Sequence, residues 1–304
     1  MKERMVLSTT TEHCFALFGL EAGVRMLADV GFDALDMNFC NVIDTEEFSE
    51  ENYVATCEEL LRIAKECGIY FNQAHAPFPG YMFYPEQERR DAYIQKMHPK
   101  VIRSIRAAGL LGAEQIIVHP LACPDLDKQK EYNIAYYNSL LPYAKEAGIK
   151  IALENMWGVS QVNRQQIMAN VCSFGRDLAD YYDALDPEWF TVCLDIGHSG
   201  LVGESADNAI RALGGRLHAL HVHDNDHVHD QHTIPYMGKV DWDAVTAALA
   251  QVDYDGDFTY EVGGGFLNPY MNDEDLMRKA FELMEVTGRK LISKIYQAKE
   301  AQQV

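Results

Sequence analysis

The 304-residue chain carries 26 lysines and arginines against 46 aspartates and glutamates, a formal net charge of −20, so a nucleic-acid phosphate backbone would meet net repulsion from the protein as a whole. Seven cysteines, odd in number and never spaced C-x-x-C, read as reduced core residues. The start, MKERMVLSTT, lacks an apolar stretch of signal-peptide length, and nowhere do about 18 apolar residues run together, so the expectation is a cytoplasmic protein with no membrane segment.

From the N-terminus onward, strand-like runs alternate with segments of helical period. The runs are MVLSTT, ALDMNF, YFNQAHAP, QIIVHP, KIALEN, FTVCLDIGH, LHALHVHD and DFTYEV, eight in all. The helices between them are read from spacing: Tyr53, Cys57, Leu60, Leu61 and Ala64 form one apolar stripe, and Tyr136, Leu140, Tyr143, Ala144 and Ala147 form another. Gly31, Gly68, Gly112, Gly148, Gly214 and Gly256 each stand a few residues before the next strand, where a left-handed helix cap is expected. Strand cores as apolar as IIV and IAL imply a parallel sheet covered on both faces, and eight repeats favour closure. The expected fold is α/β, a single (β/α)8 TIM barrel domain over residues 1–304, with the polar C-terminal KIYQAKEAQQV as a helical appendage.

In such a barrel the carboxyl ends of the strands share one mouth, so a polar residue repeated at those ends marks a site. Glu154 in IALEN, Asp195 in CLDIGH, His221 in LHVHD and Glu261 in TYEV end the fifth to eighth strands. Three carboxylates and an imidazole suit one divalent metal, Mn2+ first, with Mg2+, Co2+ or Zn2+ as alternatives; no organic cofactor is expected. A strand-terminal carboxylate often only caps the next helix, but four together argue against that. His75 and His119 end strands three and four; His198 follows Asp195 by three residues; Asp230 and His232 form an Asp-x-His pair in a histidine-rich loop. These serve as a second metal or substrate-binding set, whereas His227 and His229 read as solvated loop. Trp157 and Phe78 are expected in the pocket wall, while Trp242 and Phe266 read as packing residues. The GGG of 263–265 reads as a mobile turn rather than a phosphate loop.

LEN around Glu154, D-x-x-H of Asp195 and His198, HVHDND from His221, D-x-H of Asp230 and His232, and the Glu261 of TYEV together resemble the xylose isomerase-like barrel superfamily over nearly the whole chain. That group contains sugar phosphate isomerases and epimerases and the endonuclease IV type of nuclease. Ketose 3-epimerases of the group hold one metal at the positions matching Glu154, Asp195, His221 and Glu261, with the two glutamates flanking the sugar carbon. The resemblance therefore implies a metal-dependent sugar or sugar-phosphate isomerase or epimerase: one glutamate abstracts the proton next to a carbonyl, a metal stabilises the enediolate, and the other glutamate returns the proton. Glu154, Glu261 and His198 are the catalytic candidates, and the partner is a small carbohydrate.

The chain departs from those epimerases at two positions, Ser160 and His227, where they carry a glutamate and an arginine, so the substrate clamp differs. Two alternatives stay open. A dehydratase or lyase on a keto-sugar, inositol or glycoside would begin with the same proton abstraction. An endonuclease IV-like enzyme would use His75, His119, Glu154, Asp195, His198, His221, Asp230, His232 and Glu261 around several zinc ions, with aromatics of PFPGYMFYPEQERR as a wedge, but the acidic charge disfavours it. Assembly as a homo-oligomer or with a partner subunit is not decided by the sequence.

Overall fold

The computed structural model describes residues 5–80, 86–122, 125–160, 162–163 and 166–302. The elements run β1 (Leu7–Thr10), α1 (Glu12–Phe18), α2 (Leu20–Val30), β2 (Ala34–Asn38), α3 (Tyr53–Cys67), β3 (Tyr70–His75), α4 (Gln87–Leu110), β4 (Gln115–Val118), α5 (Gln129–Ala147) and β5 (Lys150–Glu154). A hairpin follows, β6 (Trp157–Val159) and β7 (Ile167–Ala169), then α6 (Gly175–Tyr182), β8 (Phe190–Asp195), α7 (Ile196–Leu201), α8 (Ala206–Leu213), β9 (Leu217–His221), α9 (Trp242–Gln251), β10 (Phe258–Tyr260), α10 (Gly264–Leu267) and α11 (Glu274–Ala301). Eight of these strands are parallel in the order β10-β1-β2-β3-β4-β5-β8-β9. Closure between β9 and β10 is made just past the named strands, where Val222 N donates to Thr259 O at 2.8 Å and Glu261 N to Val222 O at 3.2 Å. The chain is thus a (β/α)8 barrel, and all eight expected strands are present.

The main apolar core lies between the strands and the helix ring, where Leu35, Phe71, Ile116, Ile151 and Leu220 meet Leu27, Leu60, Ile105, Leu140 and Leu249. Inside the barrel, Ile117, Ala152, Cys193 and Ala219 make a separate small apolar layer. The opposite half of the interior is polar: Ser8 Oγ donates to Asn72 Oδ1 at 2.7 Å, Asn72 Nδ2 to Asp257 Oδ2 at 3.0 Å and Gln73 Nε2 to Asp36 Oδ2 at 2.9 Å. Small apolar side chains on one half and hydrogen-bonded polar ones on the other let the floor carry charged groups above it without orphaning all of them.

Three expectations are corrected. The C-terminal segment is no appendage: α11 runs without a break for 28 residues, with Leu291, Ile292 and Ile295 buried, each such burial worth roughly 1.5–3 kcal/mol. Gly256 is not a helix cap, because α9 ends earlier and Asp253 takes the left-handed turn; a Cβ at Gly256 would instead stand 2.3 Å from His218 O. Leu61 leaves the α3 stripe and is exposed, since a one-sided helix buries the narrower set of Cys57, Leu60, Ile63 and Ala64. Among the described cysteines none is bridged; Cys14, Cys57, Cys172 and Cys193 are buried, while Cys40 and Cys67 are half-buried. Cys123 lies outside the described residues.

Candidate metal centre

The polar strand ends meet at the carboxyl mouth. Glu154 closes β5, and Asp195 closes β8 while capping α7 by accepting from His198 N at 2.7 Å. Asn155 holds that corner: its Oδ1 accepts from Asp195 N at 2.7 Å and its Nδ2 donates to Asp195 O at 2.9 Å. His221 ends β9 opposite, and Glu261 follows β10. One ligand atom from each of Glu154, Asp195, His221 and Glu261 lies within 4.8 Å of the others. A second group, His198, His223, Asp230 and His232, meets the same limit, as does a third of His75, His119 and Glu154.

Three imidazoles are oriented by the backbone. A carbonyl can only accept, so Nδ1 is the protonated nitrogen where His75 donates to Ala76 O, His198 to Asn155 O and His232 to Glu261 O, each at 2.8 Å. Their Nε2 atoms are left facing the mouth, which is how a metal-binding imidazole is ordinarily held. His221 differs: its Nδ1 sits 2.6 Å from Glu154 Oε1 and 3.4 Å from Glu261 Oε2, and its Nε2 is 3.4 Å from Asp36 Oδ2. Both its nitrogens thus face carboxylates. His223, fully buried, places Nε2 2.9 Å from Asp195 Oδ2 and stacks on His232 at 3.8 Å between ring centroids.

Burial and neighbours split the two glutamates. Burial alone would raise the Glu154 carboxyl, but the His221 and His119 imidazoles outweigh it and hold the group well below the ordinary carboxylate range. Burial raises Glu261 above its ordinary value, and His221 and His232 offset this only in part. For Asp195, burial is outweighed by His198 and His223, which bring it down to about 2. The donor set fits a divalent ion on its own chemistry: carboxylates and neutral-capable imidazoles converge, and Glu154 Oε2 is buried without a well-directed hydrogen bond although His119 Nε2 stands 2.8 Å away.

The remaining sequence candidates are placed as follows. His119 lies across from His75, their Nε2 atoms 3.1 Å apart, and stacks on Phe78. Trp157 Nε1 donates to Asp230 Oδ2 at 3.0 Å, and Trp157 and Phe78 both line a cavity at the mouth. Trp242 and Phe266 are buried in the core. The mobile turn expected at 263–265 is instead the start of α10, held by Gly265 N donating to Gln231 O at 2.8 Å, and these glycines line a second cavity. His229 is exposed beside Asp226, and Ser160 Oγ caps its own turn by accepting from Val162 N and Asn163 N. Residues 81–85 of the aromatic segment lie outside the described residues.

His223 was not singled out in the sequence, although strand alternation from His221 puts it on the same inner face. Asp36, in the middle of β2 and 3.4 Å from His221 Nε2, is a further buried group the sequence did not mark. Asp224 accepts from Asn225 N, Val240 N, Tyr236 N and Trp242 Nε1 at 2.9–3.0 Å and so pins the loop that carries Asp230 and His232.

This fold and this mouth define a (β/α)8 barrel with a ligand-rich carboxyl face. The family model of the xylose isomerase-like TIM barrel matches residues 24–286, and the chain belongs to that family. Among curated relatives it is 26% identical over 253 residues to the uncharacterised protein MJ1311 of Methanocaldococcus jannaschii, covering 80% of this chain and 78% of that one. It is 26% identical to the uncharacterised protein y4fM of Sinorhizobium fredii, covering 52% of this chain and about half, 50%, of that one. Solved structures with the same fold include an L-ribulose 3-epimerase (TM-score 0.70, 15% identity, 98% of this chain and 97% of that one). A D-tagatose 3-epimerase-like protein (0.66, 20%, 92% and 98%) and the 3-keto-D-glucoside 4-epimerase YcjR of E. coli (0.65, 17%, 93% and 100%) also share it.

Proposed function

We propose that the protein is a divalent-metal-dependent sugar isomerase or epimerase that moves a proton on and off the carbon next to a carbonyl. The observation that carries this reading is the pair Glu154 and Glu261, on different strands, both facing His221 at 2.6 and 3.4 Å and pushed in opposite directions by their surroundings. Two carboxyls whose environments separate them suit one base and one acid. Glu154, kept ionised, takes the proton; Glu261, more readily protonated, supplies one. The names of the structural neighbours, sugar epimerases, support the same class.

Glu154, Asp195, Glu261 and His221 would hold the ion. When bound, such an ion supplies positive charge against the oxygen that becomes negative as the proton leaves. His198, fixed by Asn155 O, would orient a substrate hydroxyl through Nε2, and Trp157 and Phe78 would shield the reacting carbon from water. Manganese is the first choice for an oxygen-rich set. A nuclease reading gains less, because neither mouth cavity is lined by a lysine or arginine among the described residues.

The test is a manganese-supplemented screen of free, phosphorylated and glycosidic keto-sugars in D2O. A turned-over substrate should gain deuterium next to its carbonyl, and Glu154→Gln and Glu261→Gln should each remove the exchange. Conversion without label would point to hydride shift and overturn the reading.

A further inference from the structure

The mouth is not one cavity but two lobes that meet at Glu261, Asp230 and His232, with Phe78 on the wall of both. One lobe, about 490 Å3, is the more polar of the two and offers the side chains of Thr10, Glu12, His13, Asn38 and Asn41. That volume already falls within the roughly 300–1,000 Å3 of ordinary small-molecule sites, so it accommodates a monosaccharide without help. Thr10 in its wall is 3% exposed, and its hydroxyl is buried without a partner among the described residues.

The other lobe, about 240 Å3, is walled by Pro79, Pro120, Met156, Trp157 and Val171 together with Phe78. It is surplus to a free sugar. Phe78 is 49% exposed, and contact with an apolar group would remove that ring from water. Flat proline and aromatic walls suit a ring better than a chain. Among the described residues neither lobe is lined by a lysine or arginine, and the protein carries a net charge of −20, which together disfavour a phosphorylated substrate.

We infer that the substrate is a neutral keto-sugar glycoside, its sugar ring in the polar lobe with the reacting carbon at Glu261, and an apolar ring-shaped aglycone in the lobe between Phe78 and Trp157. The inference rests on the proton-transfer reading for the chemistry but on the lobe alone for binding.

Calorimetry on the full-length Glu261→Gln chain with manganese, where no turnover is expected, compares phenyl and methyl 3-keto-β-D-glucosides, which differ only in the substituent. The phenyl compound should bind at least tenfold tighter, and Met156→Ser and Phe78→Ala, two independent changes at the lobe, should each cut that ratio at least threefold. Equal affinities, or tighter binding of a disaccharide than of the phenyl compound, would overturn the assignment. Deuterium uptake by the wild-type chain separates the two ideas. Phenyl preference without uptake keeps the lobe and sinks the proton transfer; uptake without phenyl preference sinks the lobe.

Discussion

His223 Nε2 stands 2.9 Å from Asp195 Oδ2, and the approach depends on Gly197, where a Cβ would lie 2.1 Å from the imidazole Cε1. His221, one pleat away, has both nitrogens turned to carboxylates of Glu154 and Asp36. One ligand atom of His221, and not of His223, lies within 4.8 Å of ligand atoms of Glu154, Asp195 and Glu261 together, so His221 is the direct candidate for the ion while His223 holds Asp195 in place. His221→Ala should weaken manganese binding by more than the roughly 10–100-fold typical of losing an outer partner, and His223→Ala by no more than that range. Competition against a metal-sensitive dye measures both. The reverse ranking would move the histidine position to His223.

Gly197→Ala tests the same contact from the other side. The added methyl must push His223 away from Asp195, because the nearest atoms are the imidazole ring and Asn225 Nδ2 rather than a flexible chain end. Manganese affinity should fall at least tenfold while the circular dichroism of the barrel is kept. A variant that binds metal like the parent would show that His223 is not needed in its observed place.

The barrel was legible because parallel strands buried on both faces leave continuous apolar runs such as IIV and IAL, and their polar ends stand out against them. Glu154, Asp195, His221 and Glu261 could be read for that reason. His223 was harder, as β9 formally ends at His221 and the next residue forms only an isolated bridge to Tyr260. Asp36 and Gln73 were hidden by a register shift between Leu35 and Asp36, which no local pattern announces. The β6–β7 hairpin, three residues to a strand, is too short for alternation to separate it from loop.

Asp224 shows how a residue remote from the mouth sets it. Its carboxylate takes four N–H donors, three from the backbone of the 225–240 loop and one from Trp242. Asp224→Ala leaves those buried donors without an acceptor, at about 1–3 kcal/mol each before relaxation, so a loss of about 3 kcal/mol or more is expected in urea unfolding. Asp224→Asn keeps the acceptor oxygen at one side and should lose less. If both variants unfold with the parent, the carboxylate is not what fixes the loop.

Protons and metal compete for the same imidazoles. In the metal-free chain burial works against charge on His75, His198, His221 and His232, yet Cys40 beside His75, Cys193 beside His221 and the surrounding carboxylates outweigh it and hold all four above the ordinary imidazole value, His232 at about 10. A raised folded value gives stability that is fully present below the unfolded value near 6.5 and is lost as pH rises through the folded one. The metal-free protein should accordingly lose thermal stability between about pH 6.5 and 10. Its depressed carboxyls act in the opposite sense: Asp195 adds stability above an ordinary value near 3.8 that is lost as pH falls towards about 2. A metal takes imidazole only in its neutral form, so uptake at pH 7 must expel protons. Calorimetric titration with manganese in buffers of differing ionisation heat should give a slope of at least one proton released per ion, with affinity rising from pH 6 to 8. Heats that do not depend on the buffer would mean that the imidazoles are already neutral and that the carboxylates do not hold their protons as the geometry implies.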